Sequence, residues 1–268
     1  MKMHQMGSLR LVQLHDGYGA IDGNRVFYPA KQHEWEEGLA PDPIGFMLNA
    51  YQPLLIIEGE QYTLVDTGFG EANPNRKGDL REELAQMRIS AEQITRVITT
   101  HAHGDHVGGN TITRDGLPVP AYPNAEYIVQ ESEIAAMREA NDELWRLRFA
   151  PLEQEGQLRL VEGEVALSEA ITLWPMAGHT EGQQGVRLVS GGQHAVFVGD
   201  LALSYKNFEN PPWGSSWAWS REHDEANRRK VAEWAVEHEA MIIMYHDPRT
   251  PWIRLQRAGD GYEATPVA

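Results

Sequence analysis

Cysteine is absent from the 268-residue chain, and this absence narrows the chemistry that the chain can perform. Without a thiol there is no disulfide, no thiolate metal site and no cysteine nucleophile. Any metal ion must therefore be held by histidine, aspartate or glutamate.

Long apolar runs are also missing, since no stretch approaches the roughly 20 apolar residues of a membrane-spanning helix. The first residues, MKMHQMGSLRLVQLHDG, lack a basic flank followed by a long apolar stretch and a small-residue cleavage site. We therefore expect a cytoplasmic protein without a membrane partner.

Basic residues are scarce, with 23 Lys and Arg against 39 Asp and Glu and a formal net charge of -16. A nucleic-acid-binding protein normally presents a basic surface that displaces counterions from phosphates, so we expect no nucleic-acid partner. The same charge should repel anionic substrates. A small, neutral and partly apolar substrate is favoured.

Apolar, β-rich runs alternate with helical patterns, which is typical of an α/β fold in which helices flank sheets. Several runs are nearly continuous in apolar residues, as in strands that are covered on both faces. The runs span residues 54–57, 62–65, 97–100, 127–129, 171–174, 186–189, 195–198 and 241–245. No repeat and no Pro/Gly-rich linker divides the chain, so we predict a single domain over residues 1–268.

Helical patterns cover residues 131–147 and about 222–240. Capping-box patterns begin at Asp79 and at Ser90. Loops are predicted at residues 70–77, 108–125 and 205–220, where Gly, Pro, Asn or aromatic residues accumulate.

The segment HAHGDH places four potential metal ligands within six residues, directly after an apolar run. Alternate positions on an extended segment point the same way, so His101 and His103 can converge on one ion. Asp105 and His106 fall where the chain turns, and they can reach a second ion. Imidazole and carboxylate ligands suit Zn²⁺, Fe²⁺, Mn²⁺ or Co²⁺, with Zn²⁺ a common choice.

Six residues cannot saturate two ions, so further ligands are expected at other strand ends. Three later apolar runs each lead to a ligand-type residue, namely His179, Asp200 and His246.

These residues together resemble the metallo-β-lactamase superfamily, whose signature is H-x-H-x-D-H followed by a later His, Asp and His. The resemblance runs from the LVDTG at residues 64–68 to about residue 246 and implies a four-layer αββα sandwich. It assigns one divalent ion to His101, His103 and His179, the other to Asp105, His106 and His246, and the bridging position to Asp200. It also makes Asp66 a partner that orients a metal ligand, although an Asp before Thr-Gly can simply serve a turn.

The resemblance implies a hydrolase, because two close divalent ions activate a shared water and polarise a carbonyl or phosphoryl oxygen. A metal-bridging hydroxide would then attack an ester-like centre. In related lactonases the motif aspartate is the acid for the leaving alkoxide. The resemblance gives that catalytic role to Asp105. It makes Asp200 the second catalytic residue.

An iron-dependent oxidoreductase is the alternative from another class. The diiron reductase branch typically has Glu where this chain has His103, and the mononuclear dioxygenase branch uses fewer ligands, so hydrolysis is favoured. A metal-bearing binding protein without turnover is the third alternative.

Two groups of the superfamily are most similar in local sequence, the N-acyl homoserine lactone lactonases and the methyl parathion hydrolase group. The similarity lies in GDL at 199–201, NFENP at 207–211 and YH at 245–246. It implies opening of lactones, as in quorum quenching, or cleavage of related neutral esters, with phosphotriester or other ester hydrolysis as the alternative. Related enzymes are often dimers, so a homodimer is expected.

The aromatic loop at residues 205–219 is the predicted pocket wall, because aromatic side chains offer large apolar contact. Lactonases place a substrate-contacting Tyr three residues after the bridging Asp, where this chain has Leu203. The predicted pocket residues are Leu203, Tyr205, Phe208 and Trp213. The alternative is that the aromatic side chains pack in the core or at a dimer interface.

Overall fold

The structure is a computed structural model that describes residues 2–70, 78–259 and 261–267. The strands are β1 (Lys2–Met6), β2 (Leu9–Gln13), β3 (Tyr18–Asp22), β4 (Phe46–Ala50), β5 (Leu54–Glu58), β6 (Gln61–Val65), β7 (Ile94–Ile98), β8 (Thr111–Arg114), β9 (Leu117–Pro120), β10 (Glu126–Gln130), β11 (Leu158–Val161), β12 (Val165–Ala166), β13 (Ile171–Pro175), β14 (Gln184–Ser190), β15 (Gln193–Phe197), β16 (Met241–Ile243), β17 (Trp252–Ala258) and β18 (Gly261–Pro266). The helices are α1 (Gly23–Val26), α2 (Gln32–Trp35), α3 (Leu80–Gln86), α4 (Gly104–Val107), α5 (Glu131–Ala140), α6 (Glu143–Arg148), α7 (Ala150–Gln154), α8 (Lys206–Glu209) and α9 (Arg221–Glu237). Short 3-10 turns cover Ala91–Gln93, Gly108–Asn110 and Gly199–Leu201.

The chain forms two compact units. Unit 1 comprises Met1–Gly17 and Tyr51–Val165, and unit 2 comprises Tyr18–Ala50 and Ala166–Ala268. A single functional domain over residues 1–268 stays a prediction.

Unit 1 is built on a mixed sheet with the strand order β1-β2-β5-β6-β7-β10-β11. Strand β7 pairs in parallel with both β6 and β10. Because parallel neighbours run in the same direction, β6 and β7 end at the same edge of the sheet. Asp66 follows the end of β6, and its N–H donates to the Ile98 carbonyl at the end of β7 at 2.8 Å. This pairing brings Asp66 beside the segment that carries the HAHGDH motif.

Unit 2 is built on a second sheet, in which β12 to β18 follow one another in chain order. Strands β15 and β16 pair in parallel. The long helix α9 buries Val231, Ala232 and Ala235 in one apolar cluster with Val196 and Ile242 of these strands. Positions 231, 232 and 235 share one face of a helix, and Trp234 is partly buried against the same cluster.

Unit 2 also contains a two-stranded antiparallel sheet of β3 and β4, which α1 and α2 connect. None of the helices in the described part of the chain combines the length and apolar character needed to cross a bilayer.

The predicted strands and helices occur with changes at their ends. Strand β7 ends at Ile98 rather than at residue 100. The helix predicted over residues 131–147 is broken at Asn141, which has a φ of 49°, and Asp142 starts α6 by accepting from the Trp145 N–H at 2.8 Å. The loop predicted at residues 70–77 lies outside the described residues from 71 onward.

The two capping-box predictions have different outcomes. The box at Ser90 is confirmed. The box at Asp79 is wrong, because the Asp79 side chain makes no capping hydrogen bond. The buried carboxylate of Asp16 takes its place, since it accepts from the Leu80 N–H at 2.8 Å.

Candidate metal centre

The HAHGDH motif leaves β7 in extended form and then turns into α4. His103 occupies the position before the helix, and its carbonyl accepts from the His106 N–H at 2.9 Å. His101 Nε2 lies 3.0 Å from His103 Nδ1. The ring centroids of His101 and His106 are 4.1 Å apart. The three imidazoles of the motif therefore gather at the end of one strand, and Asp105 lies on α4 between them in sequence.

Asp66 is fully buried beside this cluster. Its Oδ2 lies 2.8 Å from His106 Nδ1 and accepts from the Thr100 hydroxyl at 2.7 Å, while its Oδ1 accepts from the Thr100 N–H at 2.7 Å. Burial raises the pKa of Asp66, and the charge of His106 opposes that effect. A hydrogen bond from Nδ1–H to this carboxylate leaves His106 Nε2 as the ligating nitrogen. Metal-binding histidines usually have such a partner.

The glycines after the motif permit close backbone contact with the loop after β6. A Cβ on Gly109 would lie 2.2 Å from the Thr67 carbonyl oxygen, and one on Gly108 would lie 2.1 Å from the Phe69 carbonyl oxygen. The Thr67 N–H donates to the His106 carbonyl at 2.7 Å. Gly108 and Gly109 therefore allow the chain after the motif to pack closely against the loop that follows Asp66.

Unit 2 contributes the other three predicted ligands, all of them buried. Asp200 Oδ2 lies 3.3 Å from His179 Nε2, and Asp200 Oδ1 lies 3.2 Å from His246 Nε2. The carboxylate thus presents one oxygen to each imidazole.

The donor chemistry of these residues fits a divalent cation. His246 Nδ1 lies 2.9 Å from the Ala50 carbonyl oxygen, which can only accept, so this nitrogen carries the hydrogen. In the neutral imidazole the Nε2 lone pair then faces a carboxylate oxygen of Asp200. A shared cation turns this repulsion into coordination. His179 Nδ1 has a polar neighbour as well, the Ser215 hydroxyl at 3.4 Å.

The predicted pocket residues have different environments within unit 2. Leu203 lines a small pocket with Leu39, Met47 and His246. Tyr205 is half-buried, and its N–H donates to Asp247 Oδ2 at 3.3 Å.

Two aromatic residues of the loop pack against apolar neighbours. Phe208 is fully buried in the apolar cluster of α9, so the core alternative applies to it. Trp213 is half-buried and packs edge-on against Phe27, with ring centroids 6.3 Å apart.

Sequence reasoning missed several residues around the site. Leu39 and Met47 come from a segment that carries no motif, and Ala50 acts through its main-chain carbonyl. Ser215 lies in the aromatic loop, where a single serine carries no motif.

Comparisons with known proteins place the chain in a family. Residues 52–260 match the family model of the metallo-beta-lactamase superfamily. An N-acyl homoserine lactonase of a Bacillus species is 26% identical over 205 residues, which cover 69% of this chain and 76% of that protein.

Two solved structures are similar over nearly the whole chain. AidC, a dizinc quorum-quenching lactonase in complex with a product, has a TM-score of 0.82 at 24% identity, covering 100% of this chain and 97% of its own. The hydrolase AbOPH has a TM-score of 0.85 at 21% identity, covering 99% of this chain and 97% of its own. The predicted metallo-β-lactamase fold is thereby confirmed, and the chain belongs to the metallo-β-lactamase superfamily.

Proposed function

We propose that this chain is a dinuclear metal-dependent hydrolase that opens lactones or cleaves related neutral esters. The observation that carries the proposal is the Asp200 carboxylate, which presents one oxygen to the Nε2 of His179 and the other to the Nε2 of His246. A carboxylate with both oxygens directed at imidazoles is suited to bridge two cations.

The proposed ligand set follows the superfamily signature. His101, His103 and His179 would hold one ion, Asp105, His106 and His246 the other, and Asp200 both. Histidine and carboxylate ligands without thiolate suit Zn²⁺ first and Fe²⁺, Mn²⁺ or Co²⁺ as well. AidC, one of the similar solved structures, is a dizinc lactonase, which supports two ions.

Two bound divalent ions would supply a hydroxide nucleophile near neutral pH and polarise the substrate carbonyl. Opening of a lactone also produces an alkoxide, which needs a proton. Asp105, whose carboxylate is partly exposed, would pass on to the alkoxide a proton taken from the attacking water. Asp66 would keep His106 Nε2 directed at the metal, through its contact with Nδ1.

The proposed substrate class rests on the net charge of the chain, on the residues beside His246 and on the activity of similar proteins. The net charge of -16 disfavours anionic substrates. Leu39, Met47 and Leu203 place apolar surface beside His246, in a small pocket that Asp247 and Arg249 also line. The lactonase names of the relatives favour lactones among the neutral esters. A homodimer and a cytoplasmic location stay predictions from the sequence.

The test is an assay of lactone hydrolysis by metal-loaded protein of known metal content. Turnover is measured through the protons that hydrolysis releases. The panel holds short- and long-chain acyl homoserine lactones, γ- and δ-lactones and an aryl phosphotriester. We expect metal-dependent lactone opening that falls to background in His101→Ala. His33→Ala, which removes an exposed histidine of α2, is the matched control and should keep full activity.

Other outcomes separate the alternatives. Two bound metals without turnover of any lactone or ester would indicate a binding protein. Turnover of the phosphotriester alone would reassign the substrate. Bound iron with visible absorbance and redox turnover would replace hydrolysis by the oxidoreductase alternative.

A further inference from the structure

A buried ion pair on helix α9 lies outside the proposed ligand set. Asp224 and Arg228 are four residues apart, their side chains are 1% and 2% exposed, and the Arg228 guanidinium donates to Asp224 Oδ2. A buried ion pair is weak grounds for stability, because desolvation of both charges offsets their attraction. Its presence therefore needs another explanation.

The guanidinium also holds the main chain of two loops. Arg228 Nη1 donates to the Leu201 carbonyl at 3.1 Å. Its Nε and Nη2 donate to the Pro211 carbonyl at 3.1 and 3.0 Å. Leu201 directly follows Asp200 in the 3-10 turn, and Pro211 lies in the aromatic loop. One planar group with fixed donor directions thus spans both segments.

The start of α9 is fastened to the loop that carries His179. The Ser220 N–H donates to the Gly178 carbonyl at 2.9 Å, and the Trp219 N–H donates to the His179 carbonyl at 3.0 Å. A Cβ on Gly178 would lie 2.4 Å from the Asp224 Cα. The first turn of α9 therefore contacts the loop that carries His179. Arg228, further along the same helix, contacts the turn that carries Asp200.

We propose that Arg228 is a positioning residue for metal binding. By holding the Leu201 and Pro211 carbonyls, it fixes the Asp200 carboxylate relative to the Nε2 atoms of His179 and His246. Asp224 neutralises the guanidinium, so that its charge does not compete with a metal ion for Asp200. This inference rests on the proposed function, since it concerns the same metal site.

The experiment titrates metal-free protein with Co²⁺ and monitors binding through the visible absorption of the bound cobalt. Thermal unfolding of the metal-free protein is measured alongside. The key variant is Asp224→Leu with Arg228→Met, which replaces the ion pair by apolar side chains of similar size and should preserve folding. Arg228→Lys keeps the charge but offers a single ammonium in place of the planar fork. Arg229→Met is the matched control, because Arg229 is an exposed neighbour in an ion pair with Glu225.

We expect the double variant to melt close to wild type but to bind Co²⁺ about 10- to 100-fold more weakly and with an altered spectrum. The Co²⁺ affinity of Arg228→Lys should lie between those of the double variant and wild type. Arg229→Met should bind Co²⁺ like wild type.

Wild-type cobalt affinity and spectrum in a folded double variant would overturn the inference and leave the proposed function intact. If the double variant does not fold, Arg228→Lys decides: reduced affinity supports the inference, and unchanged affinity overturns it. A wild-type chain that binds no Co²⁺ would overturn the proposed function and the inference together.

Discussion

At His106 and His246 the Nδ1 atom faces an acceptor, a carboxylate in one case and a main-chain carbonyl in the other. Each contact selects the tautomer in which Nε2 has a lone pair. A short polar contact on one side of the ring thus prepares the other side for a metal ion.

The Asp66→Asn variant tests this tautomer control. An amide that accepts from the Thr100 N–H through its oxygen presents its NH₂ group to His106 Nδ1. Nδ1 must then accept, the hydrogen moves to Nε2, and the ligating lone pair is lost. We expect metal affinity to fall about 10- to 100-fold, as measured by Co²⁺ titration.

Asp115→Asn, in an exposed turn, is the control for this exchange and should bind like wild type. An unchanged dissociation constant in Asp66→Asn would contradict the tautomer argument. Nitrogen NMR of the His106 imidazole would report the tautomer directly.

Single residues differ in how much of their role can be predicted from sequence. The seven proposed ligands were predictable because four lie within six residues of the chain and three follow apolar runs. Arg228 and Asp16 were not predictable, because both act on main-chain groups far away in sequence. Main-chain partners carry no side-chain signature.

At the scale of elements, continuous apolar runs predicted strands well, because the central strands of both sheets are covered on both faces. Strand β1 was not predicted, since its residues alternate between partly buried and exposed and His4 and Gln5 interrupt the apolar pattern. Helix α9 was predictable from its apolar spacing. Its contact with the His179 loop was not, because that contact depends on a missing side chain at Gly178.

The Gly178→Ala variant tests how tightly α9 is packed on that loop. The added methyl group would lie 2.4 Å from the Cα of Asp224 and 2.6 Å from its N, and backbone atoms cannot rotate away. We expect the free energy of unfolding to fall by about 2 kcal/mol, with weaker metal binding as His179 moves. Urea denaturation and Co²⁺ titration measure the two effects.

Gly192→Ala is the comparison variant, because its methyl group meets open space and reports backbone strain alone. Metal affinity should stay at the wild-type value in this variant. A Gly178→Ala protein with wild-type stability and metal affinity would show that the helix start can move without consequence.

At the scale of the whole molecule, the net charge of -16 should influence which substrates reach the site. We expect kcat/KM for an ester that carries a carboxylate to rise about tenfold between low and physiological salt, as the Debye length shortens from about 30 to about 8 Å. A neutral ester of the same size should show little change. Equal salt dependence of both esters would contradict long-range repulsion.

The family and its fold were predictable from sequence because the ligand motif is specific and complete. The division into two compact units was not, because no linker composition marks the points where the chain passes from one to the other. Those points lie at the start of β3, at the end of β4 and within the short strand β12.

The chain leaves unit 1 after Gly17 and returns at Tyr51, and these two residues are joined by a hydrogen bond from the Tyr51 N–H to the Gly17 carbonyl at 3.0 Å. The Asp16 N–H donates to the Tyr51 carbonyl at 2.7 Å beside it. Residues 18–50 therefore form an insertion whose two ends already meet. Its length and sequence can diverge during evolution without altering the strand pairing of unit 1. Because Leu39 and Met47 line the small pocket beside His246, such divergence would change the surroundings of a proposed metal ligand and leave the motif untouched.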